Sequence, residues 1–76
     1  MNRIRRKSLQ EIIDQLEELK SSLEDLMEEE EEYRDNMPEN LQGSERYEKA
    51  DEACGNLSDA FSSLEDAVSG IDAAVE

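Results

Sequence analysis

Two heptad ladders, mirrored across one short connector, constrain this chain more than anything in its composition. From Leu9 the apolar positions step by three and four: Leu9, Ile12, Leu16, Leu19, Leu23 and Leu26, then Glu30, Tyr33 and Met37. The step returns after the connector as Tyr47, Ala50, Cys54, Leu57, Phe61, Leu64, Val68, Ile71 and Val75, without a slip. A 3-4 repeat held this long marks a helix that lies along another helix. Between the ladders runs Asn36 to Ser44, NMPENLQGS. Pro38 disfavours helical backbone at Met37, Pro38 to Leu41 has room for one helical turn, Gly43 frees the chain, and Ser44 can cap a new helix. The pattern predicts an all-α fold, an antiparallel two-helix coiled-coil hairpin in a single domain spanning residues 1–76. Helix 1 is expected over about residues 3–35, the connector over 36–44 and helix 2 over about 45–75. Ser8 and Glu11 fit a capping box and offer a later start for helix 1. Nothing in Arg3 to Lys7 breaks a helix, so the start near Asn2 is favoured.

Pairing residues whose numbers sum to 80 places Leu9 on Ile71, Ile12 on Val68, Leu16 on Leu64, Leu19 on Phe61, Leu23 on Leu57, Leu26 on Cys54 and Tyr33 on Tyr47. The same register sets Lys20 near Glu65 and Arg34 near Asp51, both opposite in sign, and Ser8, Gln15 and Ser22 near Ala74, Ala67 and Ala60. Two helices cannot surround a core, and chains this short usually need further help to be stable. The residues left over are Ile13 and Met27 on one flank and the ladder Ala53, Ala60, Ala67 and Ala74 on the other. Small side chains let helices approach closely, so self-association is expected through the alanine side, completing a homodimeric four-helix bundle.

Charge decides what kind of partner such a rod takes. The 76 residues carry a net charge of −14, with 36% apolar and 39% charged residues. That composition alone would suit a disordered chain; the ladders argue otherwise. Arg3, Arg5, Arg6 and Lys7 put four positives in the first seven residues, and all 22 acids lie beyond them against Lys20, Arg34, Arg46 and Lys49. The acidic body repels nucleic acid and anionic lipid and suits a basic partner. Asp72 and Glu76 are the expected countercharges for the basic start. Neither a secretory apolar core nor a span of transmembrane length follows it, so a cytoplasmic protein with no membrane association is expected.

Few residues point to chemistry. Histidine is absent and Cys54 is the one cysteine, which reads as a small core residue. Glu28 to Glu32 are five consecutive glutamates at the end of helix 1, where acids oppose the helix dipole. Glu30 falls on the ladder; Glu28, Glu29, Glu31 and Glu32 form a candidate acidic docking edge. Paired carboxylates bind metals or move protons only where ligands converge in a shaped pocket. No enzyme activity, cofactor or metal is expected.

The stretch YRDNMPENLQGSERYEKADEAC, Tyr33 to Cys54, resembles small acidic helical-hairpin proteins encoded in phages and mobile elements of Gram-positive bacteria. The resemblance implies an accessory protein acting on a host protein, within the host cytoplasm, and carries over no activity or functional residue. Three functions therefore stand as expectations: an inhibitor occupying a nucleic-acid-binding surface, a structural module whose purpose is its own assembly, and an oligomer that holds an anionic small ligand with its basic ends.

Overall fold

Asn2 starts the first helix. Its side chain accepts a hydrogen bond from the Arg5 N–H at 2.7 Å, and helix α1 then runs unbroken through Arg3–Asp35. Seven residues before Leu9 are therefore helical or capping, and the box at Ser8 and Glu11 is not where the helix begins. Asn36 closes α1 by donating its N–H to the Glu32 carbonyl at 2.9 Å. Pro38 leads into a 3-10 turn, Glu39–Leu41, tied by the Leu41 N–H to the Pro38 carbonyl at 2.8 Å. Ser44 caps the return: its hydroxyl oxygen accepts from the Tyr47 N–H at 3.3 Å, and helix α2 spans Glu45–Val75. Glu45 and Glu48 occupy the first turn of α2, where negative charge complements the helix dipole. The computed structural model describes residues Met1–Glu76. It is an all-helical hairpin without strands, and α1 packs along α2.

The packing reverses chain order, as a hairpin must. Arg34, near the end of α1, donates from Nη1 to Asp51 Oδ1 at 2.9 Å, while Lys20, further from the connector, places Nζ 5.6 Å from the centre of the Phe61 ring. The molecule is a rod of 59 × 15 × 13 Å. Its covered residues on α2 are Ala50, Ala53, Cys54, Leu57, Phe61, Leu64, Val68, Ile71 and Val75, with Tyr47 at the mouth.

On α1 the covered face differs from the ladder read in the sequence. Leu9, Leu16 and Leu23 are covered, but they alternate with Ile13, Lys20, Met27 and Arg34, not with Ile12, Leu19, Leu26 and Tyr33. Ile13 is 6% exposed; Leu19 is 62% exposed and Leu26 57%. The expected neighbours Leu19 and Phe61 are thus replaced by Lys20 and Phe61, and Ile13 and Met27 belong to the seam and not to a free flank. The physical reason is that both choices keep the same leucines, so period alone leaves the rotation open. Turning α1 by one residue lets two long basic side chains lay their stems along the seam and deliver their charge to α2. Lys20 rests on Phe61 and bonds Glu17 at 3.3 Å instead of approaching Glu65; Arg34 reaches Asp51.

Met37 is buried at the connector end. At the other end Met1 to Ser8 are all exposed, so the basic start of α1 projects past the end of α2. No ion pair joins it to Asp72 or Glu76.

Candidate functional site: an uncovered apolar face

Ile12, Leu19, Leu26 and Tyr33 lie seven residues apart and all remain exposed. On a helix that spacing draws a single stripe along the axis. Beside it, one turn before each member, stand Ser8, Gln15, Ser22 and Glu29, the first three uncharged in a helix otherwise crowded with acids. Two contacts fix which side of the hairpin the stripe occupies. Arg34 bonds Asp51 on one side of the seam. Tyr33, its neighbour in sequence, borders an open cleft of about 410 Å³ with Arg46, Lys49 and Ala50 on the other. Arg46 begins the heptad step that continues through Ala53, Ala60, Ala67 and Ala74. The stripe of α1 and the alanine ladder of α2 therefore share one side of the rod. Ala60, Ala67 and Ala74 are exposed, and Ala53 is half-covered.

The geometry of this face follows from helix pitch. Ile12 is exposed and Ile13 buried. Consecutive helical residues point about 100° apart. The uncovered stripe thus stands about a quarter turn from the seam, and on α2 the same holds for Ala53 beside Cys54.

The acidic edge meets this face at Glu29, one turn from Tyr33. Glu28, Glu29, Glu31 and Glu32 are exposed, Glu30 half-buried, and none of the five is within ion-pairing distance of a base. Arg34 ends this run, and its guanidinium is held above the ordinary range by the hydrogen bond to Asp35, with Asp51 adding to it against partial burial. Cys54 is a free, buried thiol. Burial raises its pKa from the usual 9.0; Glu30, Glu31 and Asp51 add to the rise, and Arg34 opposes it. No buried side-chain polar atom lacks a hydrogen-bond partner. No group of three His, Cys, Asp or Glu side chains is arranged to hold a metal ion, and no helix is long and apolar enough to cross a membrane.

The candidate residues named from the sequence thus fall into three places: Glu28, Glu29, Glu31 and Glu32 on the acidic edge, the four alanines on the uncovered face, and Ile13 and Met27 inside the seam. The stripe that dominates the uncovered face is legible in the sequence as apolar, but the 3-4 ladder places it in the seam. A count of covered positions would have found it: α1 carries more apolar rows than one partner helix can hide. The fold and face define an acidic helical hairpin with an apolar stripe exposed along one side. Comparison with protein-family models, curated proteins and solved structures finds no match.

Proposed function

We propose that this protein is a non-enzymatic interaction module that works by completing a four-helix bundle with a second hairpin. The observation that supports it is the quarter-turn offset between the covered seam and the stripe of Ile12, Leu19, Leu26 and Tyr33. A helix in a four-helix bundle touches two neighbours at about that angle, each along its own apolar row. In this reading the internal seam is an antiparallel coiled coil. The exposed stripe and alanine ladder form the second seam, and the acids make the outer surface of the assembly. The stripe holds three large aliphatic residues and a tyrosine in line, a concentration that a rod exposing it permanently would carry as a liability.

Light scattering behind size exclusion tests this. The chain should elute as a dimer at tens of micromolar, and Ala60→Glu with Ala67→Glu should shift it to monomer with its helicity kept. A parent that stays monomeric throughout that range refutes the bundle.

A second reading rests on the unpaired acids. Glu28, Glu29, Glu31 and Glu32 present four carboxylates with no base nearby. A bundle bearing this edge suits a lysine- or arginine-lined cleft on another protein, such as one that binds nucleic acid. The assay is competition: nucleic acid and added salt should both displace the protein from such a cleft.

A further inference from the structure

The stripe of α1 has two different ends, and the difference says how a second copy docks. One heptad before Ile12 the same row is occupied by Arg5; at its far end stands Tyr33, with Glu32 beside it. Arg5 lies in the segment that projects past α2 and makes no ion pair. Tyr33 is 50% exposed and Glu32 is exposed and unpaired. A cation at one end of an apolar row and an aromatic ring with a carboxylate at the other match only when the row meets itself reversed.

Resting on the bundle reading above, we propose that the second copy packs with its α1 antiparallel to α1 of the first, about a two-fold axis passing between Leu19 and Ser22. Knobs-into-holes packing sets the stripe residues of one copy against the small row of the other. Leu19 then meets Ser22 of the second copy, Leu26 meets Gln15, Tyr33 meets Ser8, and Ile12 meets the stem of Glu29. Arg5 arrives one turn from Tyr33 of the second copy. There its guanidinium covers the ring and bonds the Glu32 carboxylate, a cation–π contact joined to an ion pair. The two-fold makes two such latches, one at each end. On the other side of the bundle the alanine ladders face each other, where their size permits close approach.

The alternative two-fold, along the rod, sets each α1 against α2 of the second copy. It gathers both projecting basic segments at one end and both glutamate runs towards the other. Like charges would then meet at both ends, and the Arg5 rows would have no ring or carboxylate to reach. Charge at the ends of the rod favours the crossed arrangement; the outer row Glu11, Glu18, Asp25 and Glu32 is acidic throughout and is left at the solvent edge.

Two measurements separate this arrangement from the bundle itself. In a Cys54→Ala background, Ser8→Cys and Glu32→Cys chains are mixed and treated with a short bismaleimide. Mixed dimers should cross-link, whereas Ser8→Cys alone should not, because its two thiols would lie roughly 37 Å apart, 25 residues of helix rise. Self-linking of Ser8→Cys overturns the crossed arrangement and leaves the bundle standing; a parent that is monomeric in sedimentation overturns both. In the second measurement, Arg5→Glu should weaken dimerisation about tenfold at low ionic strength, the scale of a few surface ion pairs reversed in sign. Arg5→Glu combined with Glu32→Arg should bring it back to within about threefold of the parent. Tighter dimerisation of Arg5→Glu alone would show the basic segments side by side and reject the proposal.

Discussion

Leu19→Asp separates the two seams of α1, because its effect depends on which of them holds the residue. In the hairpin Leu19 is 62% exposed, so a little over a third of it is covered. Full burial of a leucine side chain is worth about 1.5–3 kcal/mol, so the hairpin loses about 1 kcal/mol at most. Aspartate adds about 0.5 kcal/mol through lower helix propensity. Its neighbours at three and four residues, Gln15, Leu16, Ser22 and Leu23, carry no acid, so no like-charge pair is created. The total is about 1.5 kcal/mol. Leu16→Asp makes the opposite case, placing a carboxylate in the covered seam, where an unpaired charge costs several kcal/mol. Association behaves otherwise. Two copies together would bury the exposed remainder of two leucines, roughly 2–3 kcal/mol, so Leu19→Asp should weaken dimerisation by about a hundredfold or more. Circular dichroism melts at a concentration where the parent is monomeric read the first effect, and sedimentation velocity reads the second. If Leu19→Asp unfolds dilute hairpin as thoroughly as Leu16→Asp does, Leu19 lies in the seam after all and the uncovered stripe does not exist.

Other perturbations follow from single contacts. Ile13→Ala removes the most buried large side chain of the seam and should cost about 2–3 kcal/mol by denaturant titration, the lower part of the core range because two helices leave room to collapse. Gly55→Ala should stabilise by about 1 kcal/mol, since a methyl group there meets nothing within 4 Å and the helix gains propensity. Cys54 should react slowly with iodoacetamide near neutral pH until denaturant is added, because burial raises its pKa. The same shift sets a sign for stability: the folded state keeps the thiol proton longer than the unfolded chain, so this contribution is full below the ordinary thiol range. It is lost as pH climbs above 9.0, and Cys54→Ala should remove that alkaline loss. Replacing Glu28, Glu29, Glu31 and Glu32 with glutamine should leave helicity unchanged and abolish any salt-sensitive binding to a basic protein.

Periodicity located the helices because it depends only on which residues recur. Pro38, Ser44 and the unbroken run before Leu9 each carry a local backbone preference, and such preferences act within a few residues. Rotation about the helix axis is a different quantity. Ile12 and Ile13 are both isoleucine, and Leu19 looks a better core residue than Lys20 on any hydrophobicity scale. What favours Lys20 in the seam is long-range: the Phe61 ring that receives its ammonium group, and the Asp51 carboxylate waiting for Arg34 one heptad pair further on. Neither partner is visible until the two helices are set side by side.

The same ambiguity that hid the seam exposes the site. A helix meeting one neighbour needs one apolar row and part of a second; α1 has the leucine row Leu9, Leu16 and Leu23, the buried Ile13 with the half-buried Met27, and the stripe from Ile12 to Tyr33. One neighbour covers the first two and leaves the third. For a helix-only fold the surplus row has a cost, since an exposed leucine gains nothing over a polar helix former such as glutamine in propensity and loses solubility. Glutamate fills exposed α1 positions freely elsewhere, at Glu11, Glu17, Glu18 and Glu24, yet never enters the stripe. The rows flanking it keep charge to the connector end, with Ser8, Gln15 and Ser22 before Glu29 on one helix and Arg46 before four alanines at heptad spacing on the other. A surface built only for solvation has no reason to keep charge off one side of a rod this acidic. The proposed meeting with a second copy would account for it, and for the cation at Arg5 and the ring at Tyr33 standing at opposite ends of the stripe.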